Sequence, residues 1–85
     1  MSWNAVLTKV ARKHLDKIPA HDAEAIKIVI QQMEENPYFG DIVKLGGESN
    51  RWRRRAGNYR LMYNLLSKER IIFIYDIRRR TSNTY

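Results

Sequence analysis

Eighty-five residues with 44% hydrophobic side chains suffice for one domain around one modest core, and no apolar run approaches the roughly 20 residues a membrane-spanning helix needs. Cysteine is absent, which excludes disulfides and thiolate metal sites, and the N-terminus "MSWNAVLTKVARKH" lacks the apolar core and cleavage site of a signal peptide, so a cytoplasmic protein is expected. The net charge of +7 is unevenly placed: residues 1–42 hold five bases against six acids, whereas residues 43–85 hold eleven against three, which points to a polyanionic partner, nucleic acid or acidic protein.

The chain opens on "WNAVLT", short, apolar and bounded by polar residues, as a strand would be. From Thr8, a candidate N-cap, Ala11, Leu15 and Ile18 fall at helical spacing with His14 on the same stripe, and Pro19 is expected to close this helix. In a second helix Ile26, Val29, Ile30 and Met33 form the buried face, and Asp22 and Glu24 in its first turn suit the helix dipole. Asn36-Pro37 stops it. "YFGDIVKLGGESN" reads as a loop turning at Gly46-Gly47, from which Lys44 can reach substrate or solvent.

The period then changes to two. "RWRRR" puts Arg51, Arg53 and Arg55 on one face and Trp52 and Arg54 on the other, and Ala56-Gly57-Asn58 has the chemistry of a hairpin turn. In "YRLMYNLL", Tyr59, Leu61, Tyr63 and Leu65 alternate with Arg60, Met62, Asn64 and Leu66. After a turn at Ser67-Lys68-Glu69, "RIIFIYDI" is an almost continuous apolar strand, fit for the middle of a sheet. The expected order is β-α-α-β-β-β in a single α+β domain: two N-terminal helices packed on one face of a mainly antiparallel sheet of about four strands.

The helices can cover only one face, and Trp52, Tyr59 and Tyr63 belong under them as core. Arg51, Arg53 and Arg60 then lie on the open face, with Arg54 and Arg55 as surface or rim, and Arg78, Arg79 and Arg80 can return from the adjoining strand into the same concavity. Converging guanidiniums suit phosphate, because their planar forks match its oxygens and stay charged. His14 and His21 lie in the helical half, apart from this cluster, and no metal-ligand constellation or cofactor motif is present.

The element order, "NP" after the second helix, Lys44-Leu45 with glycines, "RRRAGNYRLMY" at 53–63 and "IYDIRRRTSNTY" at 74–85 resemble the RelE/ParE superfamily of bacterial and archaeal toxins over essentially the whole chain. The superfamily holds two activities on one fold: RelE-like ribosome-dependent endoribonucleases that cut mRNA in the decoding site, and ParE-like toxins that poison DNA gyrase without nuclease residues. The arginine set and a C-terminal tyrosine resemble the RelE branch. The resemblance implies catalytic roles for Arg60, for Arg79 or Arg80, and for Tyr85, with Lys44, Arg51, Arg53 and Arg78 binding substrate. It also implies two partners, mRNA on the ribosome and a cognate antitoxin that joins the toxin in a hetero-oligomer; no cofactor or membrane is implied.

Overall fold

The computed structural model describes residues 2–45 and 50–79. In chain order the elements are β1 (Asn4–Leu7), α1 (Lys9–Asp16), α2 (Ala20–Glu35), β2 (Ile42–Leu45), β3 (Arg51–Ala56), β4 (Tyr59–Leu66) and β5 (Ile71–Arg79). The α+β class and helix–sheet layering stand as expected, but the sheet has five strands, ordered β1-β5-β4-β3-β2, and it is mixed: β1 runs parallel to β5 while every other pair is antiparallel. The additional strand, β2, comes from the segment expected to be a loop; it pairs Ile42 with Arg54 through Leu45 with Arg51.

Thr8 begins α1 and ties it to the sheet. Its Oγ1 accepts from the Ala11 amide at 3.1 Å and donates to the Tyr75 carbonyl at 3.2 Å. The helix ends at Asp16, and Pro19 stands at the start of α2 instead of closing α1, a position that suits a residue with no amide hydrogen to leave unpaired. Asp22 lies in the first turn of α2 as expected, and Asn36 ends that helix.

The core lies between the helices and the inner face of the sheet. Ala11, Leu15, Ile26 and Met33 meet Leu61, Tyr63, Leu65, Ile72, Ile74 and Ile77, whereas Val29 and Ile30 are half-buried at its margin. Tyr59 and Tyr63 are core residues, and Trp52 packs against the core from the side. Trp52 meets Tyr38 edge to face at 5.9 Å between centroids, and Tyr38 meets Trp3 at 6.1 Å, an aromatic chain that closes the end of the core.

Two local features set the faces. Gly57 takes φ 59° in the two-residue β3–β4 turn, the left-handed conformation that a type II′ hairpin asks of its first residue. On β5, Ile74 pairs with Tyr63 and Asp76 with Met62, which leaves Tyr75 as a bulge. That extra residue lets Ile74 and Ile77, three positions apart, both point into the core. It also turns Arg78 to the face of Arg60.

A candidate phosphate site on the open face

Alternation on β3 and β4 carries arginines to the face the helices leave uncovered. Arg55, Arg60 and Arg78 stand opposite one another across β3, β4 and β5, and Arg53, Met62 and Asp76 form the next row. Directly opposed strand positions bring Cβ atoms to about 5 Å, where like charges repel. Three guanidiniums in such a row suit an anion shared among them.

Their partners differ. Arg55 donates from Nε to Asp41 Oδ2 at 3.0 Å, an exposed pair, and Arg78 donates from Nε to Asp76 Oδ2 at 2.6 Å. Arg53 and Arg60 are half-buried, each with a buried Nε that has no hydrogen-bond partner among the described residues. The Nε of Arg54 on the inner face is buried without a partner too, but Arg54 is bonded through both Nη atoms, whereas the guanidiniums of Arg53 and Arg60 make no hydrogen bond or ion pair among the described residues.

Asp76 is bonded from two sides. Its Oδ1 lies 2.9 Å from His14 Nδ1 and its Oδ2 takes the Arg78 bond. Burial raises its carboxyl, but the hydrogen bonds from Arg78 and His14 and their charges outweigh it and hold the group below the usual aspartate range. His14 Nδ1 also lies 3.1 Å from the Ile77 carbonyl. The expectation that His14 stands apart from the arginines is therefore corrected, because α1 lies along β5 and delivers His14 to the strand that carries Arg78.

The other expected site residues divide by face. Arg51 is exposed two positions before Arg53, in the row of Asn64 and Phe73. Lys44 is opposite Trp52, and its Nζ lies 5.8 Å from that ring's centroid, so it is not brought together with Arg53 and Arg60. Arg79 stands opposite Tyr59 and lines an open cavity of about 500 Å³ with His14, Lys17, Ile18, Tyr59, Ile77 and Arg78. Arg80 and Tyr85 lie outside the described residues.

Arg54 departs from the rim position expected of it. It is 7% exposed, on the inner face, where Nη1 donates to the Phe39 carbonyl at 3.0 Å and Nη2 to Gln32 Oε1 at 3.2 Å. Gly40, at φ 101°, makes room for it: a Cβ there would come within 2.6 Å of the Arg54 Cζ. Sequence reasoning missed three residues of the site. Arg55 lies on the face that alternation gives it but joins the row of Arg60 instead of the rim, whereas His14 and Asp76 carry no local signal of their pairing. Among the described residues, no cluster of three histidine or acidic side chains could hold a metal ion, and no helix is long and apolar enough to cross a membrane.

Comparisons with known proteins agree with this architecture. The RelE1 protein of Methanocaldococcus jannaschii is 32% identical over 83 residues, spanning 94% of this chain and 92% of its own. A chain of the archaeal RelE–RelB complex from Pyrococcus horikoshii OT3 superposes with a TM-score of 0.83 at 24% identity, covering 98% of this chain and all of that one. The isolated RelE toxin of E. coli superposes at 0.82 with 18% identity, over 95% of this chain and 87% of its own. The family model for the ParE toxin of type II toxin–antitoxin systems matches residues 5–84. The chain belongs to that toxin family, within the RelE/ParE superfamily.

Proposed function

We propose that this toxin is a ribosome-dependent endoribonuclease that cuts mRNA in the decoding site and so stops translation. The observation that carries the reading is the row Arg55–Arg60–Arg78 beside Arg53, with the guanidiniums of Arg53 and Arg60 in no hydrogen bond or ion pair among the described residues. Cleavage of RNA by its own 2′-hydroxyl passes through a phosphorane-like dianion. Preorganised guanidiniums stabilise that charge most when they need not reorganise to meet it. In this reading Arg60 and Arg78 hold the scissile phosphate, while Arg53 and Arg51 track the backbone. Arg79, Arg80 and Tyr85 keep the catalytic roles, and Lys44 the substrate-binding role, that the family resemblance implies.

An antitoxin partner belongs to the same proposal. RelE-type neighbours include complexes with RelB from Pyrococcus horikoshii and Methanococcus jannaschii. A strongly basic C-terminal half suits an acidic or amphipathic antitoxin segment laid over it, with association that slows as salt rises. A ParE-like toxin that binds DNA gyrase is the second reading, favoured by the family model's description. The open-face row of Arg55, Arg60 and Arg78 favours RNA.

Primer extension on mRNA after brief induction without antitoxin tests the choice. Breaks at fixed positions within codons are expected. Intact mRNA accompanied by DNA damage would overturn the nuclease reading in favour of gyrase.

A further inference from the structure

β1 covers β5 from Ile71 to Ile74, and α1 takes over the edge beyond it. There His14 Nδ1 faces two acceptors at once, Asp76 Oδ1 at 2.9 Å and the Ile77 carbonyl at 3.1 Å. Neither the ionised carboxylate nor the carbonyl has a hydrogen to give, so Nδ1 must carry it. The neutral ring then presents its lone pair at Nε2. This is the orientation a carboxylate imposes on a histidine that works as a base.

His14 also lines the cavity of about 500 Å³ at the end of β5. That volume is in the range of small-ligand sites, about 300–1,000 Å³. Ile18, Ile77 and Tyr59 provide apolar wall, and Lys17, Arg78 and Arg79 provide charge. The charged and titratable groups around the ring are Lys17 just after α1, Asp76, Arg78 and Arg79 on β5, and Tyr59 on β4, whose hydroxyl donates to Asp22 of α2 at 3.1 Å. Arg78 belongs to both places: it borders the cavity and stands opposite Arg60 in the open-face row. A phosphate at Arg60 and Arg78 would therefore have a nucleotide-sized space and an oriented imidazole beside it.

We infer that His14 is the general base for RNA cleavage, that Asp76 is its positioning residue, and that the cavity receives the ribonucleotide bearing the attacking 2′-hydroxyl. The inference rests on the endoribonuclease reading above. His14 Nε2 takes the proton of the 2′-hydroxyl as the O2′–P bond forms and the P–O5′ bond breaks. The departing 5′-oxygen takes a proton from water, and the imidazolium returns its own to the hydroxide so formed. The products are a 2′,3′-cyclic phosphate and a 5′-hydroxyl, with no change of oxidation state and no net proton.

Single-turnover cleavage on programmed ribosomes from pH 5 to 8.5 tests this with wild type, His14→Gln and Asp76→Asn, alongside affinity for an uncleavable mRNA carrying 2′-deoxyribose at the scissile position. A general base acts only in its unprotonated form, so the wild-type rate is expected to climb with pH. His14→Gln should lower the rate by about 10²–10⁴-fold, as loss of a general base does, and flatten the climb. It should leave affinity for the uncleavable mRNA within about threefold and the melting transition cooperative. Asp76→Asn should lower the rate in the same direction while retaining that affinity. A His14→Gln protein that stays folded and cleaves at the wild-type rate with the wild-type pH profile overturns the role of His14 and leaves the nuclease reading intact. A wild type that binds but never cuts overturns the nuclease reading, and the role of His14 with it. Loss of affinity in step with rate would make His14 a structural or binding residue and would also overturn the inference.

Discussion

Arg54 and Arg60 lie on neighbouring strands, one on each face of the sheet. Beneath the helices, Arg54 gives both Nη atoms to neutral acceptors, the Phe39 carbonyl and Gln32 Oε1, over a glycine that leaves it room, and only its buried Nε lacks a partner among the described residues. It joins α2, the turn after it and β3. On the open face, Arg60 is half-buried among other arginines, and its guanidinium makes no hydrogen bond or ion pair among the described residues. Residue type and strand position do not assign an arginine's role. What assigns it is whether the fold consumes the guanidinium's hydrogen bonds or holds them in reserve.

The sharpest way to break this comparison is to remove each arginine in turn. Arg60→Ala is expected to lower single-turnover cleavage on programmed ribosomes by about 10²–10³-fold, the usual effect of losing one preorganised charge at a transition state. Its melting temperature should stay near that of wild type, because the side chain contributes little to the core. A melt that collapses together with activity would make Arg60 structural and erase the contrast.

Arg54→Ala should do the reverse. It strands the Gln32 and Phe39 acceptors and leaves space beneath Gly40, at a cost of about 2–3 kcal/mol. For a chain of this size that corresponds to a fall of roughly 10–20 °C in melting temperature. Activity per folded molecule should persist. An Arg54→Ala protein that melts like wild type but fails to cleave would place Arg54 in the site.

The smallest effect concerns pH. Tyr63 is fully buried, and burial pushes its hydroxyl up to about 12, with the Arg54 charge pulling the other way. A raised tyrosine favours its neutral form in the fold. Its contribution to stability is therefore full below pH 10 and is lost as pH climbs through 12. Denaturant melts should show stability falling over that window, and Tyr63→Phe should remove much of the fall. An unchanged alkaline loss in Tyr63→Phe would mean that the inner face does not depend on a neutral Tyr63.

The parts of this structure that were legible in the sequence are those written in local periods. Thr8, the stripe of Ala11 and Leu15, and the alternation of Tyr59, Leu61, Tyr63 and Leu65 all lie within a few turns or strand steps. β2 was not legible, because its four residues sit between Gly40-Asp41 and Gly46-Gly47 and look like loop until β3 pairs with them. The bulge at Tyr75 was hidden in an apolar run that reads equally well without it, yet it decides which arginine of the terminal run faces Arg60. Arg54 was placed on the inner face by alternation, but its acceptors come from α2 and the following turn, which no pattern within "RWRRR" shows. The contact of His14 with Asp76 joins positions 62 residues apart. Open-face arginines could be found by counting; their neighbours required the fold.

The parallel pairing of β1 with β5 has a consequence for the birth of the molecule. β5 fits between β1 and β4, so β1 has no neighbour in the sheet until β5, the last of the described strands, arrives. Thr8 waits 67 residues for the Tyr75 carbonyl that its hydroxyl bonds. Domains dominated by such long closures fold late and comparatively slowly. During its own synthesis the chain therefore lacks both the core face of β5 and the arginine that completes the row with Arg60. The face that carries Arg60 and Arg78 is complete only after all five described strands have been made.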